Sequence, residues 1–228
     1  MSEENNWKAV LTGDIIRSTK MQPDQRVALY STFTDLSVFL KHNYPAIVMY
    51  DISNFRGDGW QLVCQQPEHS LEVGLFIRSY LRFSFKEEKL DTRFAIGIGR
   101  IHFIPRENVS AGDGEAFTLS GTMLDSLNAE NMAVVLPGKD DLVQPALDGM
   151  VGLLDFIISR WSPGQAQAIF WALHRFKQDE IAANWKPSPI TQASVSAILK
   201  AAGWSRVKMS LSVFEKLVNQ AASRAEVR

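Results

Sequence analysis

The sequence predicts an α+β fold: a ferredoxin-like βαββαβ half followed by an all-α half. Three observations carry this. Hydrophobic patterns through Gly99 run strand, helix, strand, strand, helix, strand. After Ser162-Pro163 only helical periodicity remains. Charge divides at the same place. There are 14 Lys and Arg against 21 Asp and Glu through Ser159, a net of −7, and 10 against 4 from Arg160 onward, a net of +6. An acidic module joined to a basic one follows.

Trp7 to Ile16 reads as the first strand, apolar along its centre as in a strand buried on both faces. Gln22-Pro23 opens a helix. Its apolar stripe is Val27, Tyr30, Phe33, Leu36, Phe39 and Leu40, and Asn43-Tyr44-Pro45 stops it. Ala46 to Phe55 is a second strand and Trp60 to Gln65 a third, joined by Gly57-Asp58-Gly59. Pro67 to Phe85 is a helix, and Arg93 to Gly99 the fourth strand. The glycines Gly97 and Gly99 predict the close approach of another backbone or a ligand. Leu119 to Glu130 is expected to be helical, Met132 to Leu136 a strand, and Pro137 to Asp141 a turn.

The expected organisation is a first domain over 1–141, a helical connector over 142–161, and a helical domain over 162–228. In the last, helices are predicted for Gly164–Phe176, Lys177–Trp185, Thr191–Ala202 and Ser210–Ala222, with Gly203 as a cap. The one cysteine, Cys64, excludes an intrachain disulfide and a Cys-rich metal site, and reads as a small buried apolar residue. The polar, acidic start Met1–Asn6 is unlike a signal peptide, and no apolar run approaches the ~20 residues that span a bilayer. A cytoplasmic protein with no membrane partner is expected.

Two stretches carry chemistry. Val10–Thr19 is an apolar run that delivers Asp14 at its end, followed by a small polar turn. Phe55–Val63 places Asp58 between two glycines in a hairpin. Asp-Gly alone is usually only a turn. Two carboxylates on neighbouring strand ends, however, suit one or two Mg²⁺ ions, which are commonly held by one or two carboxylates plus substrate phosphates.

Gly13-Asp14-Ile15-Ile16-Arg17-Ser18-Thr19, Phe55-Arg56-Gly57-Asp58-Gly59 and Arg93–Gly99 together resemble three motifs of the class III nucleotide cyclases, over residues 7 to 136. The whole chain also resembles the SatD family, in which such a domain precedes a helix-turn-helix region. The resemblance implies a metal pair at Asp14 and Asp58. It implies a nucleotide bound near Ile15, Arg17, Ser18, Thr19, Asn54, Arg56 and Gly57, with Mg²⁺ or Mn²⁺ as the ion. Departures bear on turnover. Asn54 stands where a purine-selecting Lys is common, and Thr118 where a purine-reading Asp is usual. Counting from Gly121, Asp125 replaces an Asn and Ala129 an Arg; Asn128 takes the Asn role only after a slip. No Arg occurs between Arg106 and Arg160. Losing one such transition-state stabiliser typically costs about 3 kcal/mol, so binding without efficient cyclisation is expected.

Gln178–Ala182 and Thr191–Lys200 resemble the positioning and recognition helices of bacterial transcription regulators, although the turn Asn184–Pro189 is longer than usual. Double-stranded DNA is then the expected partner of Thr191, Gln192, Ser194, Ser196, Lys200, Arg206 and Lys208. A helical protein-interaction module is the alternative, and the positive balance favours DNA. The function expected is a homodimeric, DNA-binding transcriptional regulator whose degenerate cyclase-like domain binds a nucleotide effector. An active nucleotidyl cyclase and a ligand-free dimerisation scaffold are the rivals.

Overall fold

A computed structural model describes residues 7–55, 57–106, 108–138 and 142–226. The readings of Met1–Asn6, of Arg56 and of Lys139-Asp140-Asp141 lie outside them. The chain is mixed α/β, with a mostly antiparallel sheet and eight α-helices among the described residues.

Strand β1 (Trp7–Ile15) is central. It pairs antiparallel with β3 (Gly59–Cys64) on one side and β4 (Thr92–Phe103) on the other. The short β2 (Ser53–Phe55) extends the sheet beyond β3. On the opposite edge β6 (Met132–Val135) runs parallel to the first part of β4, and β5 (Asp113–Gly114) pairs with its last part. Side chains alternate across a strand, which assigns β1 two faces. Ala9, Leu11 and Ile15 join the core under α1 (Pro23–Asn43) and α2 (Ser70–Ser84). Val10 faces the other way with Val63, Ile101 and Ala116, beneath α3 (Glu115–Ser126).

Three expectations are corrected here. The second strand is only three residues long, because the amides of Ile47 and Val48 both turn back to the Tyr44 carbonyl at 2.9 Å. Helix α1 buries Leu29, Phe33, Leu36 and Leu40, leaving Val27 and Tyr30 exposed. The inward stripe is thus rotated from the one read along the sequence. Helix α3 starts at Glu115 rather than Leu119, where Gly114 takes φ 143°, open to glycine. The close approach expected at Gly97 is made by backbone. A Cβ there would stand 2.3 Å from the Ala116 carbonyl and 2.5 Å from the Ser120 amide. Cys64 is fully buried, and burial pushes its thiol pKa up.

The helical half lies on the same apolar core. Helix α4 (Val143–Ile158), which falls within the expected connector, buries Val143, Leu147, Val151, Leu154 and Ile158. Gln144 clips it to β6, accepting from the Leu136 amide at 2.9 Å and donating to the Val134 carbonyl at 2.8 Å. Helix α5 (Pro163–Leu173) places Phe170 against Phe76, Tyr80 and Phe83 of α2, with ring centroids 4.4, 5.0 and 5.2 Å away. Then follow α6 (Gln178–Ala183), α7 (Gln192–Ala201) and α8 (Trp204–Glu226).

A buried ion network joins the halves. Arg78, on α2, has no exposed side-chain surface. It donates from Nε and Nη2 to Asp91 at 2.9 Å each, and from Nη1 to Asp155 of α4 at 2.7 Å. Arg82 also pairs with Asp91 and donates to the Trp161 carbonyl at 2.6 Å. Burial alone raises the pKa of the Asp91 carboxyl, but the hydrogen bonds and charge of Arg78, with the charge of Arg82, hold it below the usual carboxylate range.

Removing one partner of a buried pair leaves a charge uncompensated. Arg78→Met is therefore expected to cost about 3–5 kcal/mol in urea unfolding. Lys41→Met, which breaks the exposed pair with Asp51, is expected to cost under about 1 kcal/mol. The sign with pH follows from the lowered Asp91. Its stabilisation is complete above the ordinary carboxylate value and is lost as pH falls through its depressed native one. The acid limb of the stability curve is expected to flatten in Arg78→Met.

Candidate functional site: a carboxylate-edged cleft on the sheet

Asp14 sits at the end of β1, opposite Gly59 of β3 and Arg93 of β4. Arg93 grips it with two parallel bonds, Nε to Oδ1 and Nη2 to Oδ2, both 2.8 Å. Such fork-to-fork pairing fixes orientation as well as charge. The third nitrogen of Arg93 donates to the Leu127 carbonyl at 3.0 Å. The hydrogen bond to Asp14 raises the Arg93 pKa against its partial burial, and the charges of Asp14, Asp125 and Asp58 add to it.

Asp58 arrives through the β2–β3 hairpin. Gly57 holds φ 86° there, a left-handed geometry that favours glycine. The Asp58 carbonyl accepts the Ile15 amide at 3.2 Å, which seats the hairpin beside the end of β1. One Asp58 carboxylate oxygen accepts from the Ser18 hydroxyl. The strand ends are further locked by Thr92, whose hydroxyl donates to the Asp14 carbonyl at 2.6 Å and accepts from Trp60 Nε1 at 2.8 Å. Gly13 is required by that indole, because a Cβ would meet it at 2.5 Å.

The two carboxylates share a cleft of about 560 Å³ on the α3 face of the sheet. Thr12 and Gln61 continue its floor inward, and Gly121, Leu124 and Asp125 form its α3 wall. Among the described residues that line the cleft, Asp14, Asp58 and Asp125 are acids, and Arg93 answers Asp14. Among the described residues no three His, Cys, Asp or Glu side chains gather as a cation cage. Arg93 takes both carboxylate oxygens of Asp14 and Ser18 one of Asp58, so the described residues do not build a cation site from protein ligands alone.

The residues expected near the nucleotide divide. Ile15 is buried in the core, and its backbone amide is the part that meets Asp58. Ser18 touches Asp58 directly. Arg17, at φ 63°, and Thr19 are exposed. Asn54 and Gly57 line a second hollow of about 130 Å³, with Arg26 and Tyr30 of α1, and that hollow shares Phe55 and Asp58 with the main cleft. Arg56 lies outside the described residues. Sequence reasoning missed Thr12, Gln61, Ser110 and Gly121 as lining groups. Period two from Asp14 and from Gly59 points to Thr12 and Gln61, whereas nothing local marks Ser110.

In the helical half, Val195 and Leu199 turn inward, so Gln192, Ser196 and Lys200 of α7 face out, as do Arg206 and Lys208 at the start of α8. Thr191 caps α7, accepting from the Ser194 amide at 3.1 Å and pairing with the Ser194 hydroxyl at 2.8 Å. Gln192 donates to Gln178 of α6.

Gly121 offers a clean test of the cleft. A Cβ there meets nothing within 4 Å. Replacing helical Gly by Leu favours the helix by up to about 1 kcal/mol, while the side chain enters the cleft. Gly121→Leu is expected to keep or raise the unfolding midpoint and to abolish the thermal shift produced by any ligand of this cleft.

No family model and no curated protein matches the chain. Among solved structures, the adenylyl cyclase CyaB from P. aeruginosa is similar over 57% of this chain and 76% of that one, with 13% identity and a TM-score of 0.39. No helix among the described residues is long and apolar enough to cross a membrane.

Proposed function

We propose that the protein is a DNA-binding transcriptional regulator of the SatD kind. In this reading its ferredoxin-like, cyclase-like first domain (1–141) holds a nucleotide with Mg²⁺ or Mn²⁺ as effector. A connector (142–161) leads to a helix-turn-helix domain (162–228), and the chain acts as a cytoplasmic homodimer. One observation carries it: Asp14, Asp58 and Asp125 line one cleft of about 560 Å³, a nucleotide-sized space whose acids repel a bare polyphosphate. A divalent cation between carboxylates and phosphates removes that repulsion. The same charge argues against turnover. Cyclisation needs cation density on a developing pentavalent phosphate, and Arg93 is already bound to Asp14 and Leu127. Asp125 adds a further acid to the wall.

The exposed Ser196, Lys200, Arg206 and Lys208, on a half with a net charge of +6, suit phosphate and groove contacts. Thr191 and Ser194 support the cap, and so reach DNA as part of a helix N-terminus. Two such units in a dimer read half-sites about one helical turn apart. A route between effector and DNA is available. Arg82 holds the Trp161 carbonyl, and Trp161 Nε1 donates to the Ala202 carbonyl at the end of α7 at 2.9 Å.

The double change Asp14→Asn with Asp58→Asn is expected to abolish the Mg²⁺-dependent thermal shift with nucleoside triphosphates, while the unliganded protein stays folded. Unchanged nucleotide affinity overturns the metal site. Lys200→Ala is expected to weaken DNA binding across all sequences and to lower the salt slope by about one. The coupling between nucleotide and operator is expected at about 1–3 kcal/mol, and equal in both directions. Titrating nucleotide with and without cognate DNA, at fixed Mg²⁺ and salt, measures it. Equal affinities would reduce the two halves to tethered neighbours.

A further inference from the structure

The inner end of the cleft has a chemistry of its own. Thr12 and Gln61 stand opposite each other on β1 and β3, two residues inward from Asp14 and Gly59. Alternation puts Thr12 on the same face as Asp14, about 7 Å along the strand. Gln61 is 7% exposed. Its Nε2 donates to Thr12 Oγ1 at 2.8 Å, Thr12 pairs with the Ser120 hydroxyl at 2.8 Å, and Ser120 donates to the Phe117 carbonyl at 3.1 Å. This chain of bonds turns the Gln61 amide nitrogen toward β1. The Gln61 carbonyl oxygen has no hydrogen bond among the described residues, and the residue lines the cleft.

Ser110 also lines the cleft, and its hydroxyl is buried with no hydrogen-bond partner among the described residues. Its position is set by backbone. The Val109 amide donates to the Ser53 hydroxyl at 2.9 Å, and the Ser110 amide to Asn108 Oδ1 at 3.2 Å. A buried polar atom left unpaired is costly, so a ligand that pairs it recovers that cost. Phe55 adds an apolar surface at the same cleft. The inner end is thus uncharged, with one fixed acceptor and one hydroxyl able to give or take.

We infer that Gln61 and Ser110 read the ring end of the ligand, and that this ring carries an exocyclic amino group. The inference rests on the nucleotide reading of the cleft, with the phosphates at the Asp14 and Asp58 end. A side-chain amide oxygen only accepts. It pairs with an amino group and opposes a keto oxygen in the same place. The Ser110 hydroxyl then serves a neighbouring ring atom of either kind.

The test uses matched pairs that exchange amino for keto at one ring position. ATP against ITP and CTP against UTP are titrated calorimetrically into the intact protein with Mg²⁺, and tripolyphosphate serves as a ringless probe on the unaltered protein. The amino member of at least one pair is expected to bind about tenfold tighter. That ratio is expected to fall toward one in Gln61→Met, where each probe is compared with its own partner and a general loss of affinity cancels. Ser110→Ala is expected to weaken both members of a pair alike and to leave tripolyphosphate unchanged, which keeps the test alive if Gln61→Met does not fold. Equal affinities within both pairs, a preference for the keto member, a ratio that survives in folded Gln61→Met, or Ser110→Ala binding the ringed probes as tightly as the parent overturns the inference. If tripolyphosphate still binds in a manner lost in Asp14→Asn, the reading of the carboxylate end stands without it. If no probe binds, the nucleotide reading falls and the ring assignment falls with it.

Discussion

The geometry of this protein depends on Arg78 being buried between Asp91 and Asp155. A guanidinium without water must satisfy its donors from the protein, and here four bonds do so, to Asp91 twice, Asp155 and Ser159. Those partners come from the lead into β4 and from α4. Asp155 in turn accepts the Asn131 amide at 2.7 Å, just ahead of β6. One arginine on α2 thereby sets where the sheet edge and the first helix of the second half stand relative to each other.

The cleft inherits its shape from the same place. Asp91 is followed by Thr92, which holds the Asp14 carbonyl, and by Arg93, which holds the Asp14 carboxylate. The Asp91 carbonyl also accepts the Ile16 amide at 2.9 Å, closing the end of β1. Three consecutive residues therefore face three tasks: the buried network, the strand lock and the cleft charge. A shift at the network that moves Asp91 reaches Asp14 through Thr92 and Arg93 and their hydrogen bonds. This is a physical basis for coupling, since packed and hydrogen-bonded elements change between discrete arrangements.

Electrostatics divide the cleft into two ends. The outer end carries carboxylates and one committed arginine. The inner end carries only dipoles, ordered by the Thr12, Gln61 and Ser120 bonds. A ligand with a charged tail and a polar, uncharged ring matches that division.

Local signals determined a good deal. Period-two and period-three-to-four patterns located most strands and helices, while the helices of the second half share one apolar core with the sheet. The glycine pair of β4 announced the close approach of a backbone or a ligand, and at Gly97 it is the backbone of α3. The placement of Asp14 near the end of β1 and of Asp58 in the hairpin before β3 was legible because strand ends and Asp-Gly hairpins are local features. What only the tertiary structure decided was non-local. The partner of Asp14 is Arg93, 79 residues away. Ser110 reaches the cleft because Val109 bonds to Ser53, and no spacing in the sequence encodes that. The inward stripe of α1 excludes Val27 and Tyr30, although both are apolar, because the neighbours across the sheet select which face is covered. Phe170 meets Phe76 for the same reason. Sequence carries periodicity and propensity, whereas pairing across the fold is set by packing and by where buried charges find their partners.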